Sequence, residues 1–135
     1  MGKRNVRART IDGKKLCHKC SKWQDPVAFS ARKSEDDGLS QYCKRCVNKP
    51  RLARYGLTQE QYDKMESDQG GVCAICLQVP TRAFDIDHDH SCCPGDTSCG
   101  ECVRGLLCFN CNSALGKLKD DVGSLKRAVA YLTWQ

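Results

Sequence analysis

Phe84-Asp-Ile-Asp-His88 alternates apolar and polar residues, the mark of a short half-buried strand, and Asp89-His90 continues it. Val103-Arg-Gly-Leu-Leu107 is its return strand, reached through a loop from Ser91 to Glu101 that contains Pro94 and Gly95. Cys73-Ala-Ile-Cys76 precedes this hairpin and Cys108-Phe-Asn-Cys111 follows it. A C-x-x-C pair sets two thiolates on one turn, within reach of one tetrahedral ion. Cys73, Cys76, Cys108 and Cys111 therefore read as a closed structural zinc site that clamps the two ends of the hairpin. Four protein ligands leave no position open for a substrate. A helix begins at Asn112, and Val122, Leu125, Val129 and Leu132 recur at i, i+3, i+7 and i+10, as in an amphipathic C-terminal helix.

Upstream, Leu57-Thr-Gln-Glu-Gln-Tyr62 carries a helix start, with Thr58 as N-cap and Gln61 completing a capping box. That helix should end at Gly70-Gly71. Earlier still, Cys17-His-Lys-Cys20 and Cys43-Lys-Arg-Cys46 form a second zinc module, with Trp23, Phe29 and Tyr42 as a miniature core. Asp36-Asp-Gly38 is a turn signal. A helix is expected from about Ser40 through Arg54, carrying Lys44, Arg45, Lys49, Arg51 and Arg54 and kinked or broken at Pro50. Met1 to Lys15 holds six basic residues and little apolar material, as in a flexible arm. The expected organisation is an arm at 1–15, a zinc module with a basic helix at 16–54, and a second domain at 55–135.

The 135 residues exclude a large α/β enzyme or a TIM barrel. The longest uncharged run, Gln69 to Thr81, is 13 residues, short of the about 20 a membrane-spanning helix needs. The basic N-terminus lacks an apolar segment of secretory type, so a cytoplasmic location, in a host cell or at a nucleoid, is expected, without secretion and without a membrane partner. There the 12 cysteines, five pairs of them C-x-x-C, more readily bind metal than form disulfides. Charge is polarised: residues 1–57 hold 15 Lys+Arg against 5 Asp+Glu, residues 58–135 hold 7 against 11. A four-cysteine zinc site adds a net −2, so the formal +6 of the chain argues little for nucleic acid, while the basic first half argues more.

Asp87-His-Asp-His90 is the unusual feature, since it holds two of the three histidines in the chain. A surface polar patch, or extra ligands of a structural site, would be the plain reading. Yet the stretch follows an apolar strand directly. His88 and His90 share one face and Asp87 and Asp89 the other, and a twist or bulge at the strand end can bring Asp87 and His88 together. Asn112, next to a zinc ligand at a helix start, faces the Asp87 end if the hairpin folds back. An aspartate and an amide carbonyl form a sparse oxygen site of the kind that suits Mg²⁺.

These residues carry a resemblance. Tyr55-Gly-Leu-Thr58, Gln69-Gly-Gly-Val-Cys-Ala-Ile-Cys76, Ile86-Asp-His-Asp-His90, Val103-Arg-Gly-Leu-Leu-Cys-Phe-Asn-Cys-Asn112 and Ala114-Leu-Gly116 together resemble the phage recombination endonuclease VII family, of the HNH or His-Me finger nucleases. The likeness covers about Tyr55 to Leu132. It implies a small α+β, zinc-stabilised protein with a ββα-metal nuclease core, and an N-terminal zinc module similar to extensions on phage HNH proteins. It implies a metal-dependent DNA endonuclease, nicking or cutting both strands, with DNA as partner. It further implies His88 as general base, Asp87 and Asn112 as ligands of a catalytic Mg²⁺ or Mn²⁺, and Cys73, Cys76, Cys108 and Cys111 as zinc ligands. His90 matches a second motif histidine and Arg104 a phosphate contact, or a partner for a carboxylate of the fold. Junction-resolving members continue into a helical dimerisation region that this sequence, which stops at Gln135, does not match, leaving the oligomeric state open.

Cys92, Cys93, Cys99 and Cys102 stand where the family often has a short polar turn. They read as a third zinc site, a disulfide or free thiols. Adjacent cysteines can share an ion only with a strained backbone, for which His90 is a substitute ligand. The alternative to a nuclease is a non-catalytic zinc module that only binds nucleic acid. It accounts for the cysteine pairs and the basic half, but not for Asp87-His88 together with Asn112.

Overall fold

The computed structural model describes residues 10–134, and nine residues of the expected arm lie outside it. The chain divides into two compact units, the first ending at Arg54 and the second starting at Tyr55.

The first unit opens with a hairpin, which corrects the arm expected to run to Lys15. β1 (Thr10–Ile11) pairs antiparallel with β2 (Lys14–Leu16), and β2 pairs with β3 (Trp23–Gln24). Asp12 and Gly13 form the two-residue loop, both at positive φ (51° and 74°), the backbone a right-twisted hairpin requires and Asp-Gly supplies. Lys15 is buried. Its ammonium pairs with the Asp37 carboxylate and donates to the Leu39 carbonyl at 3.1 Å. β4 (Phe29–Ala31) and β5 (Leu39–Cys43) form a second antiparallel pair, followed by α1 (Lys44–Arg54). The expected helix thus starts four residues late, because Ser40–Cys43 are recruited into pairing with Phe29–Ala31. Pro50 lies inside α1 without ending it. Proline has no N–H to give the carbonyl four residues back. That carbonyl, Cys46, receives the Lys19 ammonium instead, at 3.4 Å.

The miniature core is also not the expected aromatic one. Trp23 and Tyr42 are exposed, and Phe29 alone is buried, against Cys17 and Cys43 with Cys20, Ala28, Leu39 and Cys46 around it. Four of those seven residues are cysteines.

In the second unit Thr58 caps α2 (Gln59–Asp68) with the full capping box: its hydroxyl accepts from Gln61 N at 3.2 Å and Gln61 Oε1 accepts from Thr58 N at 2.8 Å. The chain leaves α2 through Gly70 and Gly71. The Gln69 side chain then acts as a short piece of strand, accepting from Leu106 N and donating to Leu106 O, both at 2.9 Å. β6 (Asp85–His88) and β7 (Val103–Leu107) pair antiparallel, and α3 (Phe109–Lys117) and α4 (Val122–Thr133) follow. Tyr62, Cys73, Phe84, Ile86, Leu106 and Leu107 are buried. Burial in β6 does not alternate, since Asp87 and His88 are covered as well as Ile86. The stripe expected on α4 is present, but Val122, Val129 and Leu132 are 60%, 63% and 80% exposed.

Gly56 and Gly100 fix how the loop after β6 meets the start of this unit. Both have positive φ, and a Cβ on Gly56 would stand 2.7 Å from the Cys99 backbone carbon. The left-handed backbone alone costs a non-glycine residue about 1–2 kcal/mol, and the clash adds to that. Gly56→Ala is therefore expected to lower the unfolding free energy of the second unit by at least that much, measured by denaturant unfolding. Gly95→Ala, whose Cβ meets nothing within 4 Å, should cost only the backbone strain.

Candidate active site and metal centres

Each half of the chain builds a sulfur tetrad by one local device. In the first unit Cys17 N donates to Lys22 O at 3.0 Å and Ser21 N to Cys17 O at 2.8 Å, with Ser21 at φ 55°. In the second, Cys73 N donates to Gln78 O and Leu77 N to Cys73 O, both at 3.0 Å, with Leu77 at φ 58°. The other pair of each tetrad begins a helix. Cys43 stands immediately before α1 with Cys46 in its first turn, and Cys108 caps α3 by accepting from Cys111 N, with Cys111 in its first turn. A helix N-terminus favours negative sulfur there. In both tetrads all four Sγ atoms lie within 4.8 Å of one another.

The thiols of such a cluster cannot all ionise on their own. Burial works against the Cys17 thiolate, but backbone N–H groups of Cys43, Cys20 and Lys19 outweigh it and lower its pKa to about 6. Cys46 is pushed up to about 12 by burial and by the thiols of Cys43, Cys20 and Cys17. Cys73 and Cys111 divide in the same way, at about 6 and about 12. A divalent cation resolves this conflict. Four cysteine sulfurs gathered this closely are the donor set of structural zinc.

The second unit also contains a polar cleft of about 120 Å³, to which Asp87, His88, His90 and Asn112 all contribute, together with Tyr55 and Asp96. The β6–β7 register explains the convergence. Asp87 faces Gly105 and His88 faces Val103, so Arg104 is an extra residue on β7 and the ladder bulges at this point. His88 is 4% exposed. Its Nε2 lies 3.0 Å from the Cys93 carbonyl. A carbonyl only accepts, so this bond puts the proton on Nε2 and leaves Nδ1 with a lone pair. Tyr55 meets the ring edge-on, with centroids 5.8 Å apart, and the His90 ring lies 4.5 Å away.

Asp87 is held by Arg104 through both oxygens, Nε to Oδ2 at 2.7 Å and a terminal nitrogen to Oδ1 at 2.9 Å. The carboxylate contact raises the Arg104 pKa above its ordinary value. Arg104 also reaches Asp120 at 3.2 Å, and Asp120 accepts from His90 Nδ1 at 3.0 Å. That histidine contact, with Arg104 behind it, holds the Asp120 carboxyl below its usual range. Asn112 donates Nδ2 to Asp85 at 3.2 Å, which turns its carbonyl oxygen the other way. The sequence did not single out Asp85, Asp120, Tyr55 or the Cys93 carbonyl as parts of a site. Only tertiary structure brings them here, and of the side chains missed, Tyr55 alone belongs to a stretch that carries the family resemblance.

A third group of sulfurs, from Cys92, Cys93, Cys99 and Cys102, also lies within 4.8 Å. His90, the expected substitute ligand, is engaged with Asp120 instead. Neither Cys92 nor Cys93 is among the residues at positive φ, so their adjacency is met without left-handed backbone. Among the described residues no helix is long and apolar enough to cross a membrane.

The chain is 39% identical over 84 residues to the Gene 59 protein of Mycobacterium phage D29, and 38% over 84 residues to that of Mycobacterium phage L5. Each alignment covers 60% of this chain and 46% of the relative, so the chain spans about half the length of the curated relatives it matches. Among solved structures, the ββα-Me type II restriction endonuclease Hpy99I is similar at 24% identity and a TM-score of 0.36, over 89% of this chain and 65% of that one. Residues 48–134 match the family model described as recombination endonuclease VII. Because that match runs through the end of α1 and nearly the whole second unit, the chain belongs to the recombination endonuclease VII family.

Proposed function

We propose that the second unit is a metal-dependent DNA endonuclease of the HNH, ββα-metal type, hydrolysing phosphodiester bonds with His88 as general base. The observation that carries this reading is the shared cleft: a histidine with its Nε2 proton anchored lies beside an aspartate and an amide carbonyl. His88 Nδ1 takes the proton of the attacking water, and an imidazole is neutral over much of the physiological pH range. Asp87 and Asn112 offer the hard oxygen donors that Mg²⁺ or Mn²⁺ prefers. When bound, that ion stabilises charge on the scissile phosphate and on the leaving oxygen. Arg104 orients Asp87 and carries the positive charge that a phosphate would meet at the same edge. His90, tied to Asp120, supports the His88 face. The tetrads Cys17/20/43/46 and Cys73/76/108/111 hold structural zinc.

The test is incubation of the full chain with supercoiled plasmid, with Mg²⁺, with Mn²⁺ and with EDTA. Nicked or linear product with the metals and none with EDTA supports the reading; intact plasmid under all conditions defeats it. One observation favours a non-catalytic DNA-binding module instead: Asp87 has both oxygens taken by Arg104. On that reading DNA is bound and never cut.

DNA binding is assigned mainly to the first unit, whose residues 1–54 carry 15 Lys+Arg against 5 Asp+Glu. Removing them should weaken binding and flatten its salt dependence, by about 0.9 in the log–log slope for each phosphate no longer neutralised. An unchanged slope, measured by fluorescence anisotropy, would show that this unit is not the DNA-binding arm.

A further inference from the structure

The carbonyl that holds His88 belongs to a loop with little else to hold it. From Asp89 to Cys102 no residue is buried. What this loop has is sulfur. Cys92 and Cys93 Sγ are 3.9 Å apart, Cys92 and Cys99 4.0 Å, and Cys99 and Cys102 3.8 Å. Four sulfurs about 2.3 Å from a tetrahedral ion stand about 3.8 Å from one another, whereas disulfide sulfurs stand about 2.05 Å apart. The observed spacing is that of a shared ion. In the tetrad of the second unit, Cys76 and Cys108 Sγ are likewise 3.8 Å apart.

The backbone presents these sulfurs through a network of its own. Cys92 N and Cys93 N both donate to Asp89 O, at 3.1 and 3.0 Å, and Asp89 N donates to Cys102 O at 3.0 Å. The Asp89 carboxylate accepts from Ser91 N at 2.8 Å. Gly100 packs against the Gly56 backbone more closely than any side chain allows. One ligand, Cys93, carries the carbonyl that receives His88 Nε2 at 3.0 Å.

We propose that Cys92, Cys93, Cys99 and Cys102 form a third site for a thiophilic divalent ion such as zinc, and that this site positions His88 through the Cys93 carbonyl. The ion fixes the loop. The loop fixes the carbonyl. The carbonyl holds the proton on Nε2 and keeps Nδ1 as the basic nitrogen. Cys93 is a positioning residue in this scheme, and His88 remains the group that meets the water. The kinetic part rests on the proposed role of His88, while the metal site and the tautomer do not.

The experiment compares the full chain with Cys92→Ser/Cys99→Ser. Zinc per chain, by mass spectrometry of the purified proteins, should fall from three to two. Cobalt titration should lose one equivalent of the intense sulfur-to-metal absorption. In ¹⁵N-histidine spectra the His88 Nε2 proton, protected in the parent, should exchange rapidly in the variant. The kcat for plasmid nicking should fall about 10–100-fold with little change in KM, as on removing groups that orient an active residue. Cys99→His alone, which keeps four ligands, should retain three zinc ions and most of the rate. Unchanged zinc content in the double serine variant would overturn the site. Loss of one zinc with an unaltered Nε2 proton signal would overturn the positioning role. Should the parent chain prove not to cut DNA, zinc count and tautomer still decide the proposal. Amide spectra of α2 and α4 report whether the variant is folded. If the double serine variant does not fold, Cys99→His gives the answer through its zinc count.

Discussion

His88→Ala is expected to lower plasmid cleavage by about 10²–10⁴-fold, the usual loss on removing a general base, while zinc content and DNA affinity stay near those of the parent chain. The separation follows from position. His88 lies outside all three sulfur groups, and its interactions are with the Cys93 carbonyl, the Tyr55 ring and the His90 ring. Removing the imidazole opens space in a cleft that is already polar and costs little core packing. A supporting histidine behaves differently. His90 is exposed and bonded to Asp120, so His90→Ala should cost much less. Cleavage at the parent rate by His88→Ala would remove the residue from the chemistry, and equal losses for both variants would put the base elsewhere.

Imidazole added in solution gives a sharper version of the same experiment. If His88 does no more than take a proton, free imidazole should restore part of the rate to His88→Ala and none to Asp87→Ala. The second variant loses the carboxylate that Arg104 grips through two hydrogen bonds, and leaves that guanidinium with Asp120 alone as its carboxylate partner.

What could be read from the sequence divides along physical lines. The capping box at Thr58 and Gln61 was legible because both partners lie within one turn, and no distant residue can change that bond. The sulfur tetrads were legible for a related reason: C-x-x-C geometry is local, and only the choice of which pairs meet is not. Errors arose where distant residues decided. Ser40–Cys43 has no strong local preference, and pairing with Phe29–Ala31 made it a strand. Asp12-Gly13 was a legible hairpin signal, masked by the basic charge around it, and only the remote Asp37 and Leu39 could turn Lys15 inward. Trp23 and Tyr42 looked like core by composition, but sulfur fills that space and leaves them outside.

The candidate site shows the same division. Asp87, His88 and Asn112 stood out by residue type and by their neighbours, and a twist or bulge was the expected device for uniting Asp87 with His88. That the extra residue would be Arg104, and that it would take both oxygens of Asp87, depended on register. Asp120 was beyond reach of the sequence. It sits at φ 53° in the turn between α3 and α4, and it matters only because that turn folds back onto Arg104 and His90.

Cys108→Ser should have the largest effect of any single substitution in the second unit. Cys108 does two things at once. Its sulfur caps α3 by accepting from Cys111 N at 3.5 Å, and it stands 3.8 Å from Cys76 Sγ within the tetrad. Serine is a good N-cap, so the substitution preserves the first role. An alcohol is a poor zinc ligand at neutral pH, so it removes the second. The remaining core is small, with Tyr62, Phe84, Ile86, Leu106 and Leu107 as its buried hydrophobic residues larger than cysteine. Structural zinc contributes about 10–16 kcal/mol in comparable small modules, as much as the whole stability of an ordinary domain at about 5–15 kcal/mol. The second unit should therefore lose its dispersed amide spectrum, its zinc and all cleavage, while signals from Thr10 to Arg54 persist because that unit is compact by itself and has its own tetrad. Loss of both units together would mean that they fold as one body. A second unit that keeps its zinc, its spectrum and its activity would mean that capping and packing hold the hairpin ends, and that the four sulfurs are not the clamp.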